Sequence, residues 1–330
     1  MVLKYSLKMK ALVLNAVNQP LSFQSAEEAA AGHGQVIVSL KASALNHRDL
    51  FITQGLYAGI RLPVILGSDG AGLLGDRRVV IYPALEWGDS PDFQGKDFRV
   101  LGMPDNGTFA ESIVVPESSV CDMPAHLSWE QAAALPLAGL TAWRTLFSRC
   151  KLKAGEKVLI TGIGGGVALM ALQLATAAGA TVFVTSGSDE KIEKAVLLGA
   201  AGGENYREEG WDKRLKQKSG GFDVVIDSAG GDGFALLPGI CNPGARIGFY
   251  GGTLGKVNGL SLQPVFWKQI SLLGSTMGSP QEFDEMLRFV GTQKIIPVVD
   301  EVFALEEGNS AMEKMKYGNQ FGKLVLRNSD

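Results

Sequence analysis

The amino-acid sequence predicts an α/β protein in which a doubly wound parallel sheet is inserted into a second, mostly β domain. Three observations support this prediction. A β-branched run at 158–161 enters a glycine cluster, and an apolar helix follows. Three more short apolar strands alternate with helices after it, which is typical of a parallel sheet covered on both faces. The regions before residue 125 and after residue 267 lack this alternation.

The glycine cluster is the most informative feature. It has four glycines ahead of the helix, followed by a valine: Gly162, Gly164, Gly165, Gly166 and Val167. Glycines allow a backbone to approach a pyrophosphate closely, and the following helix offers free N–H groups and the positive end of its dipole. Such a turn alone is a weak signal, but the surrounding strands strengthen it. The segment therefore predicts a dinucleotide site.

The next strands are expected at 181–185, 223–227 and 246–250. Gly179 ends the helix that follows the turn, and Gly199 ends a helix that starts near Asp189. In a parallel sheet the carboxyl ends of all strands meet at one edge, where a ligand binds. We therefore expect a Rossmann sheet with its ligand at that edge.

The first 125 residues indicate an irregular β-barrel or sandwich. Short strands are expected at 35–42, 78–82 and 111–115, separated by turns that are rich in Gly, Pro, Asn and Asp. Residues 1–8 are expected to precede a first strand that starts near Met9.

Two capping boxes mark helices on either side of the parallel sheet. Residues 128–131 open the helix that leads into it, and residues 279–282 open a helix that Gly291 is expected to end. A final strand at 322–326 is expected to return to the first domain. The predicted domains are therefore 1–125 and 268–330 for the β domain and 126–267 for the dinucleotide domain.

Composition excludes several functional classes. The chain has 330 residues, a net charge of −3 and a sequence pI near 5.8, which gives no reason to expect nucleic acid or an anionic membrane as a partner. Residues 158–188 carry no charge, but their glycines divide the run, so we predict no transmembrane segment. The three cysteines lie far apart, which predicts a reducing, cytoplasmic compartment.

Several segments together resemble the medium-chain dehydrogenase/reductase superfamily, most closely its quinone oxidoreductase-like and zinc-type alcohol dehydrogenase-like members. Besides the glycine turn, they are 67–72, 107–111, 140–143, 185–188, 223–227 and 248–252. The resemblance implies a GroES-like catalytic domain, a Rossmann domain and an active site in the cleft between them. It also implies a homodimer through the outer edge of the nucleotide domain, for which 251–262 is the expected exposed strand edge.

The sequence departs from the zinc-dependent members at their ligands. Asn46 stands where those members carry a cysteine, and Ser68 stands at the histidine of their GHE motif. The third ligand has no counterpart in 135–141, and the segment 87–101, which resembles the structural zinc lobe, contains no cysteine. His47 and Asp69 remain, which are too few for zinc. We therefore expect no metal.

The end of the second strand favours NADP(H) over NAD(H). NAD enzymes place a carboxylate there for the ribose 2′-hydroxyl, whereas this chain has Ser186, with Lys191 one helical turn away. Tyr206 resembles a family tyrosine that helps to enclose the 2′-phosphate. Asp189 leaves NAD open, although an acid is expected in a first helical turn. Further cofactor contacts are expected from Ser228, Phe249 and Gly251.

The predicted activity is hydride transfer from NADPH to a quinone or conjugated carbonyl, because such electrophiles delocalise the charge that zinc would otherwise stabilise. By resemblance, Asn46 lies near the nicotinamide ribose and Thr141 beside the ring, and Tyr57 is a candidate donor to the substrate. Asn46 could instead be a turn residue that caps the next helix.

Two alternatives stay open. An enoyl-thioester reductase would need an anionic-ligand site, for which Arg48 and Arg61 are the nearby candidates. The chain could also be a non-catalytic, dinucleotide-binding regulatory protein, or a crystallin-like structural protein.

Overall fold

The computed structural model describes residues 8–329, which form two compact units. The β-rich unit comprises the described parts of Met1–Leu137 and Ser279–Asp330, and the parallel-sheet unit is Ala138–Gly278. The second unit thus interrupts the first in sequence, as predicted. Residues 1–8 were expected to precede the first strand, but Lys8 already belongs to it, and residues 1–7 lie outside the described residues.

In chain order the strands are β1 (Lys8–Leu14), β2 (Ser22–Glu27), β3 (Gln35–Ala44), β4 (Val64–Ile65), β5 (Asp69–Leu74), β6 (Arg77–Ile81), β7 (Ala84–Leu85), β8 (Arg99–Val100), β9 (Ser112–Pro116), β10 (Val120–Asp122), β11 (Lys157–Ile160), β12 (Thr181–Ser186), β13 (Gly202–Asn205), β14 (Phe222–Asp227), β15 (Cys241–Phe249), β16 (Ser271–Gly274), β17 (Val299–Ala304) and β18 (Lys323–Arg327). The α-helices are α1 (His47–Thr53), α2 (Trp129–Ala133), α3 (Pro136–Trp143), α4 (Gly166–Ala177), α5 (Asp189–Leu197), α6 (Trp211–Ser219), α7 (Gly231–Phe234), α8 (Leu237–Ile240), α9 (Leu262–Trp267), α10 (Pro280–Gln293) and α11 (Gly308–Tyr317). Short 3-10 helices span Glu117–Ser119 and Leu305–Glu307, and a π-helical turn, Arg144–Arg149, continues α3.

The parallel-sheet unit contains the predicted Rossmann sheet. Its strands run in the order β13-β12-β11-β14-β15-β16, and every neighbouring pair is parallel. The apolar residues of the central strand β11, Val158, Leu159 and Ile160, are fully buried at 0% exposure. The carboxyl ends of all six strands therefore lie along one edge of the sheet.

Two strands of this sheet were not expected from the sequence. β13 contains no large apolar side chain, and β16 lies beyond residue 267, where the alternation of strands and helices was expected to end. Each of them is an outermost strand of the sheet. An edge strand is covered on fewer sides, so its sequence carries a weaker apolar pattern.

In the β-rich unit, β3 is the central strand. It pairs antiparallel with β5, β9 and β18, and β17 extends the sheet by pairing parallel with β18. The chain returns to this unit at Ser279, and its last strand, predicted at 322–326, joins the sheet as β18. A buried core between this sheet and the helices includes Leu12, Ile52, Leu66 and Phe109.

The unit boundaries lie later in the chain than the sequence suggests. The expected dinucleotide domain was 126–267, whereas the parallel-sheet unit is Ala138–Gly278. The reason at the first boundary is that α2, which the Ser128 capping box opens as expected, packs on β3 and β5 of the β-rich unit. At the second boundary, β16 still pairs with β15.

Two further local expectations are corrected. Gly291 does not end α10, which continues to Gln293 and stops where Lys294 adopts a left-handed φ of 55°. The segment 251–262 is not a strand: it is irregular up to Ser261, and Leu262 begins α9. The outermost strand of the parallel sheet that lies nearest to it in sequence is β16.

None of the helices within residues 8–329 is long and apolar enough to cross a membrane. Cys121, Cys150 and Cys241 are all free thiols. The cytoplasmic location stays a prediction.

Candidate active site

The glycine turn between β11 and α4 has the backbone geometry that a dinucleotide phosphate requires. Gly162 and Gly164 have φ values of 65° and 129°, which residues with side chains rarely adopt. Gly165 is the N-cap of α4 and has no side chain with which to cap it. The first N–H groups of α4 therefore remain available to an anion, and the turn fits the predicted dinucleotide.

Hydrogen bonds from the two neighbouring strands hold this turn in place. Thr161 Oγ1 donates to Asp227 Oδ2 at 2.6 Å, and Ile163 N donates to the Thr185 carbonyl at 2.8 Å. Asp227 Oδ1 also accepts from Gly230 N at 2.8 Å. The carboxyl ends of β12 and β14 thus fix the position of the turn after β11.

Ser186 ends β12, but its hydroxyl is turned inward. The residue is 3% exposed, and its Oγ accepts from Ser188 N at 3.2 Å. Ser188 Oγ in turn caps α5 by accepting from Lys191 N at 3.4 Å. Both hydroxyls therefore shape the chain between β12 and α5, and Ser186 does not stand as an open donor.

Three other side chains lie against the glycine turn or against Gly187, which follows β12. A Cβ atom on Gly164 would lie 3.4 Å from Lys191 Nζ, so the ammonium reaches back over the glycine turn. A Cβ on Gly187 would lie 2.9 Å from the Tyr206 hydroxyl and 2.8 Å from Arg207 Nε. Only a glycine therefore lets these two side chains lie over the backbone at residue 187.

Arg207 is a residue that the sequence reasoning missed. It is exposed, follows Tyr206 directly, and its backbone N–H donates to Asn205 Oδ1 at 3.1 Å. Among the described residues, no carboxylate pairs with its guanidinium. Asp189, which left NAD open, instead accepts from Asn205 Nδ2 at 3.0 Å in the first turn of α5. Arg207 directly follows Tyr206 in the sequence, and this position could have identified it as a candidate.

The remaining predicted cofactor residues follow β14 and β15. A Cβ on Gly251 would approach the Ser228 carbonyl oxygen to 2.6 Å, so a glycine is required there. Tyr250 hydrogen-bonds Ser228, and burial raises the pKa of its hydroxyl. The Phe249 ring packs edge-to-face on Phe234, with 5.7 Å between centroids. Its half-buried side chain packs against the core of the unit, and its contact with a cofactor stays a prediction.

Thr141 lies in α3, within the same unit as the glycine turn, and is 6% exposed. Its carbonyl accepts a 2.6 Å hydrogen bond from Thr145 Oγ1, next to the point where α3 widens into the π-helical turn. π-Helical turns are frequent at functional sites.

The β-rich unit contains a buried polar group, the Asn46 cluster, formed by Asn46, Asp69 and Lys323. Strand register explains it, because Ala44 pairs with Asp69 on one side and with Val325 on the other. Lys323 Nζ donates to Asn46 Oδ1 at 2.6 Å and to Asp69 Oδ2 at 2.9 Å. Asn46 Nδ2 donates to Asp69 Oδ2, also at 2.9 Å. Lys323, which sequence reasoning missed, carries the cation of this cluster.

Arg48 is a second buried cation in this unit. Its guanidinium donates to Ser68 Oγ at 2.7 Å and to the carbonyls of Leu101 and Met103 at 2.6 and 3.4 Å. The Tyr57 ring lies over it, with 5.6 Å from Arg48 Cζ to the ring centroid. Tyr57 itself is 40% exposed, which leaves it accessible to a substrate.

Two titratable groups lie beside the Asn46 cluster. Burial raises the pKa of Asp49 to about 6, although Arg48 and the hydrogen bond from Asn46 N to Asp49 Oδ2, at 2.8 Å, both oppose the rise. Loss of hydration next to the surrounding protein, and repulsion from the Lys323 ammonium, lower the pKa of His47. Part of its side chain remains accessible to solvent.

The donor set at this place does not fit a zinc ion. Asn46 offers an amide, and the Ser68 hydroxyl is engaged with Arg48 and with the Leu101 carbonyl. The Asp69 carboxylate is already paired with the Lys323 ammonium. Zinc sites use three or four thiolate, imidazole or carboxylate ligands. Within the part of the chain that the structure describes, no group of three or more His, Cys, Asp or Glu could hold a metal.

Comparisons with known proteins cover both units. The family model "Alcohol dehydrogenase GroES-like domain" matches residues 32–125, and "Zinc-binding dehydrogenase" matches residues 166–292. The zinc-type alcohol dehydrogenase-like protein YogA of Leptosphaeria maculans is 36% identical over 97% of this chain and 98% of its own length.

Solved structures agree with this result. An NAD-dependent alcohol dehydrogenase superposes with a TM-score of 0.92 at 34% identity, covering 97% of this chain and 99% of its own. The quinone oxidoreductase of Thermus thermophilus, also solved with NADPH, gives a TM-score of 0.82 at 26% identity, covering 97% of this chain and all of its own. The chain is an oxidoreductase of the medium-chain dehydrogenase/reductase superfamily.

Proposed function

We propose that this enzyme transfers hydride from NADPH to a quinone or another conjugated carbonyl compound, without zinc. The observation that carries the proposal is the Asn46 cluster, which puts an amide and an internal ion pair where zinc-dependent members have metal ligands. Without a Lewis acid, an alkoxide has no partner that lowers its energy. A quinone or enone delocalises the negative charge itself, so a few hydrogen-bond donors are enough.

The cations beside the glycine turn and Gly187 support NADPH as the cofactor. Lys191 brings a positive charge to the glycine turn, and Arg207 and Tyr206 bring a second positive charge and a hydroxyl to Gly187. A 2′-phosphate suits two cations, whereas the 2′-hydroxyl of NAD prefers a carboxylate. The solved relatives include both an NAD-dependent alcohol dehydrogenase and a quinone oxidoreductase with NADPH. The residues of this chain favour the second of these cofactors.

A bound nicotinamide supplies the hydride, and the protein supplies binding and orientation. In this proposal the glycine turn and α4 hold the pyrophosphate, and Thr141 packs beside the ring. Asn46 orients the nicotinamide ribose through its amide. Tyr57, exposed above Arg48, donates a hydrogen bond to the substrate oxygen on which negative charge develops.

The enoyl-thioester alternative stays open, although one of its two candidate cations is engaged within the protein. Such a substrate carries phosphates that need accessible cations, but Arg48 is 9% exposed and donates to three partners within the protein. Arg61 is exposed and remains the one candidate of the original pair. The non-catalytic alternative stands until turnover is measured.

The decisive experiment follows NADPH oxidation with a short-chain quinone, a conjugated enone, an enoyl thioester and a simple ketone, and NADP⁺ reduction with ethanol. We expect turnover with the quinone or enone and no useful ethanol oxidation. Metal content is measured on the same sample, and turnover is expected to persist in a chelator. Brisk ethanol oxidation, or about one zinc per chain that turnover requires, would contradict the proposal. No turnover with any acceptor would favour a regulatory or structural role.

We also propose a homodimer, now through β16 rather than through 251–262. β16 is one of the two outermost strands of the parallel sheet, and α9 before it exposes Leu262, Phe266 and Trp267 at 64%, 66% and 81%. A two-fold axis would pair β16 with its copy and extend the sheet, which would cover both the open edge and these side chains.

Light scattering at micromolar concentration tests this assembly. We expect a dimer for the unchanged chain and a monomer for Trp267→Glu. Leu197→Glu is the matched control, since Leu197 is 87% exposed on α5 of the same unit. A monomeric unchanged chain, or dimers that resist Trp267→Glu and yield to Leu197→Glu, would contradict the proposed interface.

A further inference from the structure

Lys323 is an ammonium in a nearly closed environment. It opens β18, is 5% exposed, and donates to two partners, Asn46 Oδ1 at 2.6 Å and Asp69 Oδ2 at 2.9 Å. A buried charge is costly unless it is paired and hydrogen-bonded. The two contacts satisfy this requirement, and they also constrain the side chain between them.

The constrained side chain is the Asn46 amide. An ammonium only donates and a carboxylate only accepts, so the amide oxygen must face Lys323 and the amide nitrogen must face Asp69. The reversed amide would place two donors together at Lys323 and two acceptors together at Asp69. The ion pair therefore selects one of the two orientations of Asn46.

One hydrogen of Asn46 is left over in this arrangement. Asp69 Oδ1 accepts from Leu137 N at 2.8 Å, and Asp69 Oδ2 serves both Lys323 and Asn46. Among residues 8–329, no acceptor is found for the second Nδ2 hydrogen of Asn46. Asn46 is 8% exposed, so a bound molecule can reach part of it.

We propose that Lys323, together with Asp69, is a positioning residue that fixes the Asn46 amide so that its remaining N–H donates to a hydroxyl of the nicotinamide ribose. This inference rests on the proposed function, which places Asn46 at that ribose. Lys323 touches neither cofactor nor substrate in this arrangement. Its effect on turnover passes through the amide, so it disappears when the amide is absent.

A double-mutant cycle tests that dependence. Asn46→Ala, Lys323→Met and the double variant are compared for kcat, for KM and for the Kd of NADPH. Each single variant is expected to lower kcat about 10- to 100-fold through misplacement of the nicotinamide. The Kd of NADPH is expected to rise less than about tenfold, as for the loss of one hydrogen bond. The double variant is expected to match Asn46→Ala.

Lys314→Met is the matched control, because Lys314 forms ion pairs with Asp300 and Glu301 in the same unit but outside the Asn46 cluster. It is expected to leave kcat unchanged. If Lys323→Met lowers kcat as strongly in the Asn46→Ala background as in the unchanged chain, Lys323 does not act through Asn46 and the inference is overturned. An equal loss of kcat in Lys314→Met would overturn it as well.

A measurement without turnover separates this inference from the proposed function. In protein labelled with ¹⁵N-asparagine, the Asn46 side-chain resonance is the one that Asn46→Ala removes. We expect NADP⁺ to shift one of its two amide protons, and Lys323→Met to abolish that selectivity. A resonance that ignores Lys323→Met would refute the inference even if quinone reduction is confirmed. A resonance that responds as expected would support it even if no acceptor is reduced.

Lys323→Met leaves Asp69 buried without a cation, so the variant could fail to fold. Asp69→Asn with Lys323→Met removes both charges and leaves no unpaired buried ion. In this variant a second amide replaces the carboxylate, so nothing enforces the original orientation of Asn46. It is expected to show the same loss of kcat as Lys323→Met with a melting temperature closer to the unchanged chain. Full kcat in this folded variant would contradict the proposed role.

Discussion

The two units build their parts of the proposed site in opposite ways. In the parallel-sheet unit, the backbone conformation of the glycine turn forms most of the proposed cofactor site. The polar and charged side chains of Tyr206 and Arg207 are exposed. In the β-rich unit, Asn46, Asp69 and Lys323 are buried and paired with one another. Exposed groups exchange water for a ligand at little cost to the fold, whereas buried charges are part of the fold. Substitutions in the parallel-sheet unit should therefore change mainly the Kd of the cofactor, and substitutions of the buried charges should change mainly the free energy of unfolding.

The largest effect is expected for Asp69→Ala, which leaves the Lys323 ammonium buried without its counter-ion. Breaking a buried pair in this way costs about 3–5 kcal/mol of unfolding free energy. Urea denaturation followed by circular dichroism measures it. Asp122→Ala is the control, because the Arg77–Asp122 pair is exposed on both sides and should matter little. An equal loss of unfolding free energy in the two variants would contradict the proposed difference between the buried and the exposed ion pair.

The next effect concerns the backbone of the glycine turn. Gly164→Val forces a side chain onto a residue with φ of 129° and against Lys191. We expect the Kd of NADPH and of NADH to rise at least about 100-fold, equivalent to about 2.7 kcal/mol. Gly239→Val is the control, since a Cβ there meets no atom within 4 Å. Retained cofactor affinity in folded Gly164→Val would show that the turn does not hold the phosphates.

A smaller effect should separate the two cofactors. In the proposed function, Lys191 and Arg207 each donate a charged hydrogen bond to the 2′-phosphate, so Lys191→Ala and Arg207→Ala should each cost about 1.5–3 kcal/mol of binding free energy. The Kd of NADPH should rise at least about tenfold, while the Kd of NADH and the melting temperature stay nearly unchanged. Lys194→Ala, on the same helix and paired with Glu190, is the control. Equal weakening of both cofactors would place these cations away from the 2′-phosphate.

The smallest effect is a pH dependence that arises from Asp49. Its pKa of about 6 in the folded state exceeds the ordinary aspartate value, so the folded protein binds a proton more tightly than the unfolded chain. This contribution to stability is present below about pH 4 and is lost as the pH rises through 6. The loss is on the order of 1 kcal/mol for each pH unit in this range. Melting curves from pH 4 to 7 should show a shallower decline in Asp49→Asn, and an unchanged slope would contradict the assignment.

Local patterns explain what the sequence could predict. The glycine turn, the strand before it and the helix after it are contiguous, so spacing alone predicts the dinucleotide part of the site. Both capping boxes, at Ser128 and Ser279, form as predicted because each depends on residues three positions apart. The edge strands β13 and β16 were missed because partial burial requires only a weak apolar pattern.

The other part of the site depends on contacts between distant segments. Lys323 is 277 residues from Asn46 and 254 from Asp69, and only strand register brings them together. A lysine at the start of an apolar strand would ordinarily be expected in solvent. The inward hydroxyl of Ser186 was also not predictable, because it depends on how the backbone turns after β12. Arg207 could have been predicted from the sequence, because it directly follows Tyr206 in the same motif.

The position of Lys323 in the chain has a consequence for synthesis. Because a ribosome makes the chain from the N-terminus, Asn46 and Asp69 emerge long before the lysine that neutralises Asp69, and the whole of Ala138–Gly278 is made between them. Until β18 joins β3, Asp69 lacks this counter-ion, so a nascent β-rich unit cannot bury that carboxylate at low cost. The Asn46 cluster can therefore form only after the last strand has been made and has paired with β3. The part of the proposed site that would hold the nicotinamide is then the last to form.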